Sequence, residues 1–245
     1  MTSLDSPRDR AVQAMFDRIA GRYDLLNRVI SFRLDTQWRS KATREILKSE
    51  DPLILDLGAG TGDLTFIAAK EIKGNGRIVG LDFSLQMLKL ARSKQTSVMH
   101  GEKTDFIQAS AIFPPFKDSL FDGVMTAFVL RNVSDLSLFF AHAFRVLKPG
   151  GRFVSLEMFP PSKTWFSPFY ALYFYRFVPW IGGLLAGDPS AYKYLAQSVE
   201  NFYLPEQVAE LLEHAGFRRI RMQKFLNGAV CMHVGEKLDP SPHVL

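Results

Sequence analysis

Hydrophobic positions along this chain follow two alternating rhythms. Short apolar runs lie at residues 53–57, 77–81 (closing on Asp82), 104–108, 121–126 and 152–157. Runs of this length predict strands buried in a parallel sheet. Between them the apolar residues recur at helical spacing. Leu64, Ile67, Ala68 and Ile72 form one stripe, closed by Gly74-Asn75-Gly76. Met87, Leu88, Leu90 and Ala91 form another, with Ser84 placed to cap it. A third helix is predicted over 134–147, stopping at Lys148-Pro149-Gly150-Gly151. The loop 110–117 holds Pro114-Pro115 and cannot join a central strand. Strands alternating with helices predict a mostly parallel α/β sheet covered on both faces.

The pattern changes at both ends. Residues 11–48 precede the first strand and read as added helices: Val12, Met15, Phe16, Ile19 and Ala20 mark one, and Trp38, Ala42, Ile46 and Leu47 a second that Asp35 would cap. After 157 the alternation breaks into an insertion over 160–203. Helical spacing resumes at Pro205, and two late strands, 218–225 and 229–234, form an antiparallel hairpin turning near Asn227-Gly228. The whole chain, 1–245, therefore reads as one domain with an N-terminal helical cap and an insertion.

Composition narrows the class. Of 245 residues, 47% are hydrophobic and the net charge is +5, which fits a folded globular protein with a mild preference for anionic partners. No Lys/Arg block or zinc-finger spacing is present, so nucleic acid is not an expected partner. The single cysteine, Cys231, fits a reducing compartment and reads as a core residue of a late strand. Residues 1–10 lack the apolar stretch of a signal peptide, and the expected location is cytoplasmic. Residues 164–187 are nearly uncharged, but Arg176, Pro168 and Pro179 interrupt them, so a surface or cap segment is expected rather than a span. Its aromatic residues, from Trp165 through Tyr170, Tyr173 and Phe177 to Trp180, are not confined to one helical face. They predict a greasy substrate channel with peripheral membrane contact, rimmed by Tyr192 and Tyr194.

The chemistry centres on Asp56-Leu57-Gly58-Ala59-Gly60-Thr61-Gly62-Asp63, a strand end, a glycine turn and a helix start. Its Gly-x-Gly-x-Gly spacing departs from the dinucleotide fingerprint and lacks the Lys-Ser/Thr of a phosphate loop. Asp82 ends the second strand, where a carboxylate can take both hydroxyls of a ribose. Together with Asp56 and Asp63 it suits a nucleoside with a positively charged end and no phosphate, which is the description of S-adenosylmethionine. Arg131 and Asn132 follow the fourth strand at the same edge of the sheet. Glu157 ends the fifth strand and either faces the crevice or pairs with Arg131. The five histidines are scattered, and no metal site is expected.

With these stretches placed, the chain resembles the ubiquinone/menaquinone biosynthesis C-methyltransferase family from about Phe16 to Lys237. The matching residues are Phe16 to Ala20, Tyr23 to Asn27, Ser31, Trp38-Arg39, Asp56 to Asp63, Gly80 to Ser84 with Met87-Leu88, Arg131-Asn132, Leu147 to Gly151, Leu156-Glu157 and Tyr192 to Val199. The resemblance implies a class I, Rossmann-like methyltransferase that uses S-adenosylmethionine to methylate a ring carbon of a prenylated quinol, demethylmenaquinol above all. It implies that Asp56, Gly58, Gly60, Thr61, Gly62 and Asp63 line the methionine half of the cofactor. Asp82 would hold the ribose, Phe83 would pack on the adenine, and Ser110 and Ala111 would sit at its edge. Tyr23, Asn27, Arg131, Asn132 and Glu157 would surround the methyl-transfer point, with Glu157, Tyr23 or a water as the base. The family's usual glycine is replaced by Val129, its acidic or amide residue by Ser110, and its usual Gly and His near Ser31 by Arg33 and Asp35. Two other classes stay open: an O- or N-methyltransferase of a water-soluble acceptor, and a non-catalytic cofactor-binding scaffold. A homo-oligomer, and work at the inner face of the membrane, are further expectations.

Overall fold

A computed structural model describes residues 7–160 and 189–239. The aromatic cluster between Trp165 and Trp180 lies outside the described residues. The N-terminal helices are α1 (Pro7–Ile19), α2 (Tyr23–Ile30) and α3 (Leu34–Ile46). The alternating part runs β1 (Leu53–Leu57), α4 (Asp63–Glu71), β2 (Arg77–Asp82), α5 (Leu85–Gln95), β3 (Thr104–Gln108), β4 (Phe121–Ala127), α6 (Leu136–Val146) and β5 (Leu147–Met158). It closes with α7 (Pro189–Glu200), α8 (Pro205–His214), β6 (Arg218–Phe225) and β7 (Val230–Glu236).

The seven strands form one sheet in the order β3-β2-β1-β4-β5-β7-β6. The first five run parallel, and β7 runs antiparallel between β5 and β6. The strand order reverses between β1 and β4, so a crevice opens at their carboxyl ends, where α/β sheets bind ligands. One face of the sheet is packed by α3 and α4 through Trp38, Ile46, Leu64 and Ala68. The other is packed by α6 and α8 through Phe139, Phe140, Val208 and Leu212. A separate cluster joins the N-terminal helices to α7: Met15, Leu26, Ala191 and Val199. That cluster carries α1 and α2 beside the crevice, whereas α3 lies on the sheet.

Three local expectations change. Asp35 does not cap α3; Arg33 stands there with φ +63°, and Asp35 lies buried in the first turn. It is held inside because Arg28 Nη1 and Ser31 Oγ donate to its carboxylate at 2.6 and 2.8 Å. β5 begins at Leu147 rather than 152, because Leu147 already pairs with Phe121 before the turn at Gly150 shifts the register. The late hairpin places β7 at 230–236, after a turn in which Leu226, Asn227 and Gly228 all take positive φ. Cys231 is fully buried in β7, and burial pushes its thiol up to about 12, so it serves packing. Among the described residues no helix is long and apolar enough to cross a membrane, and no group of three or more His, Cys, Asp or Glu side chains could hold a metal ion.

Candidate active site

The glycine turn starts where β1 ends. Gly58 takes φ +76° and donates its N–H to the Leu81 carbonyl at 2.8 Å, tying β1 to β2. A Cβ at Gly58 would lie 2.8 Å from Val129 Cγ1, and one at Gly62 would lie 2.6 Å from the Phe66 ring. Both positions therefore require glycine for space as well as for backbone conformation. Val129 packs into the room that Gly58 leaves, so the branched side chain is accommodated at that wall.

Above the turn lies a cleft of about 1020 Å³, measured out to its open mouth. Asp56, Gly58, Gly60, Thr61, Asp63, Asp82, Phe83, Ser110 and Ala111 all line it. Gly62 does not; it sits behind the wall at the N-terminus of α4. Asp82 accepts the Gly60 and Ser84 N–H groups, each at 2.8 Å, which fixes its carboxylate at the end of β2. Burial nevertheless raises its pKa to about 6. Asp56 is still deeper: Thr65 donates to Oδ2 at 2.6 Å, while Oδ1 is buried with no hydrogen-bond partner. Burial raises its pKa to about 7, with the Asp82 charge adding and Thr65 and Arg39 opposing. Burial pushes Asp63 up as well, but Arg39, Lys94 and Arg28 together hold it below its ordinary value. Ser110 accepts the Ile112 N–H at 3.3 Å, which folds the loop under the cleft.

The N-terminal helices close this cleft from above. Gln13 donates to the Phe83 carbonyl at 2.9 Å, Ser84 donates to Asp17, and Thr61 donates to Asp24. Arg28 Nη2 meets Asp63 at 2.9 Å. Every one of these contacts joins the cap to the glycine turn or to the end of β2.

A second cavity, about 460 Å³ measured out to its open mouth, lies under the cap on the side of α7. Its walls are mostly apolar: Met15, Phe16, Ile19, Leu26, Ile30 and Leu195. Tyr23, Asn27, Arg131 and Asn132 supply polar groups, and Tyr194 Oη donates to Asn132 Oδ1 at 3.0 Å. Phe16, Tyr23 and Asn132 line both cavities, so the two meet at these three side chains. Arg131 Nε and Asn27 Nδ2 are buried without an aligned hydrogen-bond partner. Such groups cost stability unless a ligand satisfies them. Burial raises the Tyr23 pKa despite the nearby Arg39 and Arg131 charges, which favours the protonated hydroxyl.

Glu157 stands apart from the other four expected catalytic residues. It lines neither cavity. It is fully buried, pairs with Arg131 Nη1, and accepts the Met158 N–H at 2.7 Å and the Arg131 N–H at 3.3 Å. The geometry is that of a structural ion pair, with the carboxylate committed to holding the Arg131 turn. Arg39 is the opposite case: it lines the cofactor cleft from α3, yet its position in the sequence did not mark it as a site residue.

The residues fit S-adenosylmethionine on the structure's own terms. A glycine-lined cradle, an unpartnered buried carboxylate oxygen at Asp56 and a fixed carboxylate at Asp82 match its cationic end and its ribose. The model of the ubiE/COQ5 methyltransferase family matches residues 1–237. This chain belongs to that family. The methyltransferase is 42% identical over 91% of its length to the demethylmenaquinone methyltransferase of Thermus thermophilus, covering all of that protein. It is 38% identical to the ubiquinone/menaquinone biosynthesis C-methyltransferase UbiE of Desulfotalea psychrophila, over 92% of this chain and 90% of that one. A crystal structure of a SAM-dependent methyltransferase from Thermotoga maritima shares the fold at a TM-score of 0.64 and 17% identity, covering 91% and 98% of the two chains. The fold is thus the class I, Rossmann-like one, and the chain is an S-adenosylmethionine-dependent methyltransferase acting on a small molecule.

Proposed function

We propose that the methyltransferase places a methyl group on a ring carbon of a prenylated quinol, demethylmenaquinol in the first place, at the junction of the two cavities. The observation that carries this reading is the second cavity. It combines an apolar wall with a few buried donors and opens onto the cofactor cleft beside Tyr23. A quinol ring has that character: flat, apolar, with two oxygens and a greasy tail. The names of the curated relatives support the same acceptor class.

When bound, S-adenosylmethionine supplies an electrophilic methyl group. A ring carbon would attack it only after a neighbouring hydroxyl loses its proton and pushes electron density into the ring; the methyl–sulfur bond breaks as the carbon–methyl bond forms, the methylated carbon then gives up its own hydrogen to solvent as a proton, and the ring oxygen regains one, which restores the aromatic quinol. Arg131, fixed by Glu157 and with Nε free of protein partners, stabilises that oxyanion. Asn27 and the protonated Tyr23 hydroxyl orient the ring oxygens and exclude water from the reacting atoms. With Glu157 committed and Tyr23 protonated, water at the cavity mouth takes the hydroxyl proton. Alignment of the ring with the cofactor accounts for most of the rate. The apolar tail brings the reaction to a membrane surface, on its inner face.

The test is methyl transfer from labelled S-adenosylmethionine in detergent, offered reduced demethylmenaquinone, a prenylated benzoquinol and a tail-free naphthoquinol. Label on the ring carbon of the prenylated naphthoquinol supports the proposal, and preference for the benzoquinol moves it to the other ring. Transfer to none of them, with cofactor binding intact, overturns it.

A further inference from the structure

We infer that the three turns at the β6 end of the sheet dock on an anionic membrane surface, with Phe32, Leu226 and Leu204 entering the lipid and Arg33, Lys41 and Lys224 meeting the headgroups. The inference deepens the prenylated-acceptor reading and rests on it. α3 and α8 pack on opposite faces of the sheet. α3 leads into β1 and α8 into β6, so both helices begin at the carboxyl edge, the edge that carries the cofactor cleft. The β6–β7 turn lies at that edge too, because Phe225 pairs with Val230, which pairs with Met158 at the end of β5. Three turns therefore stand in a row across the sheet: Phe32 before α3, Leu226 in the hairpin and Leu204 before α8. Contacts tie the row together. The Phe225 ring lies 6.2 Å from that of Trp38 in α3, and Lys224 reaches Glu206 in α8 at 2.7 Å.

The row presents apolar side chains that folding leaves outside the core. Phe32 is 70% exposed, Leu204 52% and Leu226 48%. Phe32 and Leu226 stand there with φ of +51° and +47°, a conformation that large side chains avoid. Exposed apolar groups gathered in this way mark a docking site for protein or membrane. Charge decides for the membrane. Arg33 and Lys41 are exposed, and neither pairs with an acid among the described residues. Lys41 Nζ rests 5.1 Å from the centre of the Phe225 ring, directly beside the hairpin turn. Apolar tips set among cations match hydrocarbon beneath anionic headgroups. The position fits the chemistry as well. Leu26 and Ile30 of α2 line the acceptor cavity just before Phe32, and Ala229, just after the hairpin turn, packs in the cluster that joins α1, α2 and α7. Docking through this row sets the acceptor cavity beside the lipid in which a prenyl tail is dissolved.

The test is co-sedimentation of the full chain with vesicles of phosphatidylcholine, alone or mixed with phosphatidylglycerol, in the absence of acceptor. The wild type should prefer the mixed vesicles, and its binding should fall as salt is added. Arg33→Gln and Lys41→Gln should each weaken binding to the mixed vesicles about fivefold. Phe32→Ser with Leu226→Ser should weaken it about tenfold or more, through the lost burial of apolar surface. None of these residues lines either cavity, so the calorimetric cofactor Kd should match the wild type in every variant, which also reports that each one is folded. Equal binding to both kinds of vesicle overturns the inference, as do variants that bind like the wild type. A concentration-dependent dimer abolished by the same substitutions, with no vesicle binding, overturns it in favour of a second copy of the chain. The two readings fail separately. A protein that methylates a prenylated quinol in detergent but ignores vesicles refutes the docking alone, whereas one that docks through these turns and methylates no quinol refutes the acceptor alone.

Discussion

The cofactor cleft and the acceptor cavity share a wall but are built in different ways. The cleft takes its polar lining mainly from the ends of adjacent parallel strands: Asp56 to Asp63 after β1, Asp82 and Phe83 after β2, Ser110 and Ala111 after β3. The first two pieces are local strand–turn–helix units, and the third is the loop that follows β3. The acceptor cavity draws on α1 and α2, the 131–132 turn and α7, elements that meet only through tertiary packing. The polar wall of the cleft is anchored in the hydrogen-bonded sheet. The cavity is only as well defined as the docking of the cap. Changes in the two regions should therefore separate cofactor affinity from acceptor affinity.

The largest expected effect comes from the pair that anchors the acceptor side. Glu157→Ala leaves Arg131 buried without its counter-charge, and removal of one partner of such a pair costs about 3–5 kcal/mol. Denaturant unfolding should show a loss of this size. An unfolding midpoint unchanged from wild type would mean that Arg131 is not bound to the fold through Glu157. Next comes the glycine turn. Gly58→Ala drives a Cβ into Val129 at positive φ, and the combined steric and backbone strain amounts to about 2–4 kcal/mol. Cofactor affinity should fall sharply, and adding Val129→Gly should recover the steric part while the backbone part persists. No recovery in the double variant would show that the clash is not with Val129.

These two sites also show what a sequence can disclose. The strands, the glycine turn and Asp82 were legible because they are set by local rules: run length, glycine spacing and the acid at a strand end. The Glu157 alternative could not be settled from the chain, because choosing between a crevice and an ion pair requires knowing that β5 lies beside β4 and its 131 turn. Arg39 was missed for a related reason. Yet a signal existed: Asp35, Arg39, Ala42 or Thr43 and Ile46 fall on one helical stripe of α3, and all of them are buried. Two charges on the inward face of an amphipathic helix mark a position that needs a partner, and Asp35 was assigned instead to a cap. The aromatic segment at 165–180, on which the expectation of membrane contact rested, lies outside the described residues.

A third test distinguishes the regions by pH. Asp56 has its pKa raised to about 7 and Asp82 to about 6, so both are partly protonated just below neutrality in the free protein. A cationic ligand end favours the ionised carboxylate and lowers its pKa in the complex. Cofactor binding therefore releases protons, and affinity should be full above about pH 7 and fall by up to about tenfold per unit below it. Calorimetry in two buffers of different ionisation enthalpy reads the released proton directly. Asp56→Asn should flatten the profile, whereas Asn27→Ala on the acceptor side should leave it unchanged. A pH-independent cofactor Kd between 5.5 and 7.5 (an interval set about the two raised pKa values) would remove Asp56 from the cationic end.

The smallest effect sharpens the comparison most, because it touches a single hydroxyl, that of Tyr194, which meets Asn132 and Arg8. Tyr194 Oη donates to Asn132 Oδ1 at 3.0 Å, linking α7 to the turn that carries Arg131. That bond also sets the amide: with Oδ1 engaged by the hydroxyl, Nδ2 faces the Phe128 carbonyl at 3.4 Å and the shared wall. Tyr194→Phe keeps the ring and removes only the donor, a change worth about 1 kcal/mol. Because Asn132 lines both cavities, the result reports which ligand feels its orientation. If α7 exists to shape the acceptor cavity, the acceptor KM should rise about fivefold, the equivalent of that energy, while the cofactor Kd stays within error. An equal rise in both constants would mean that the shared wall moves as a unit, and that cap and cleft are coupled more tightly than their separate construction suggests.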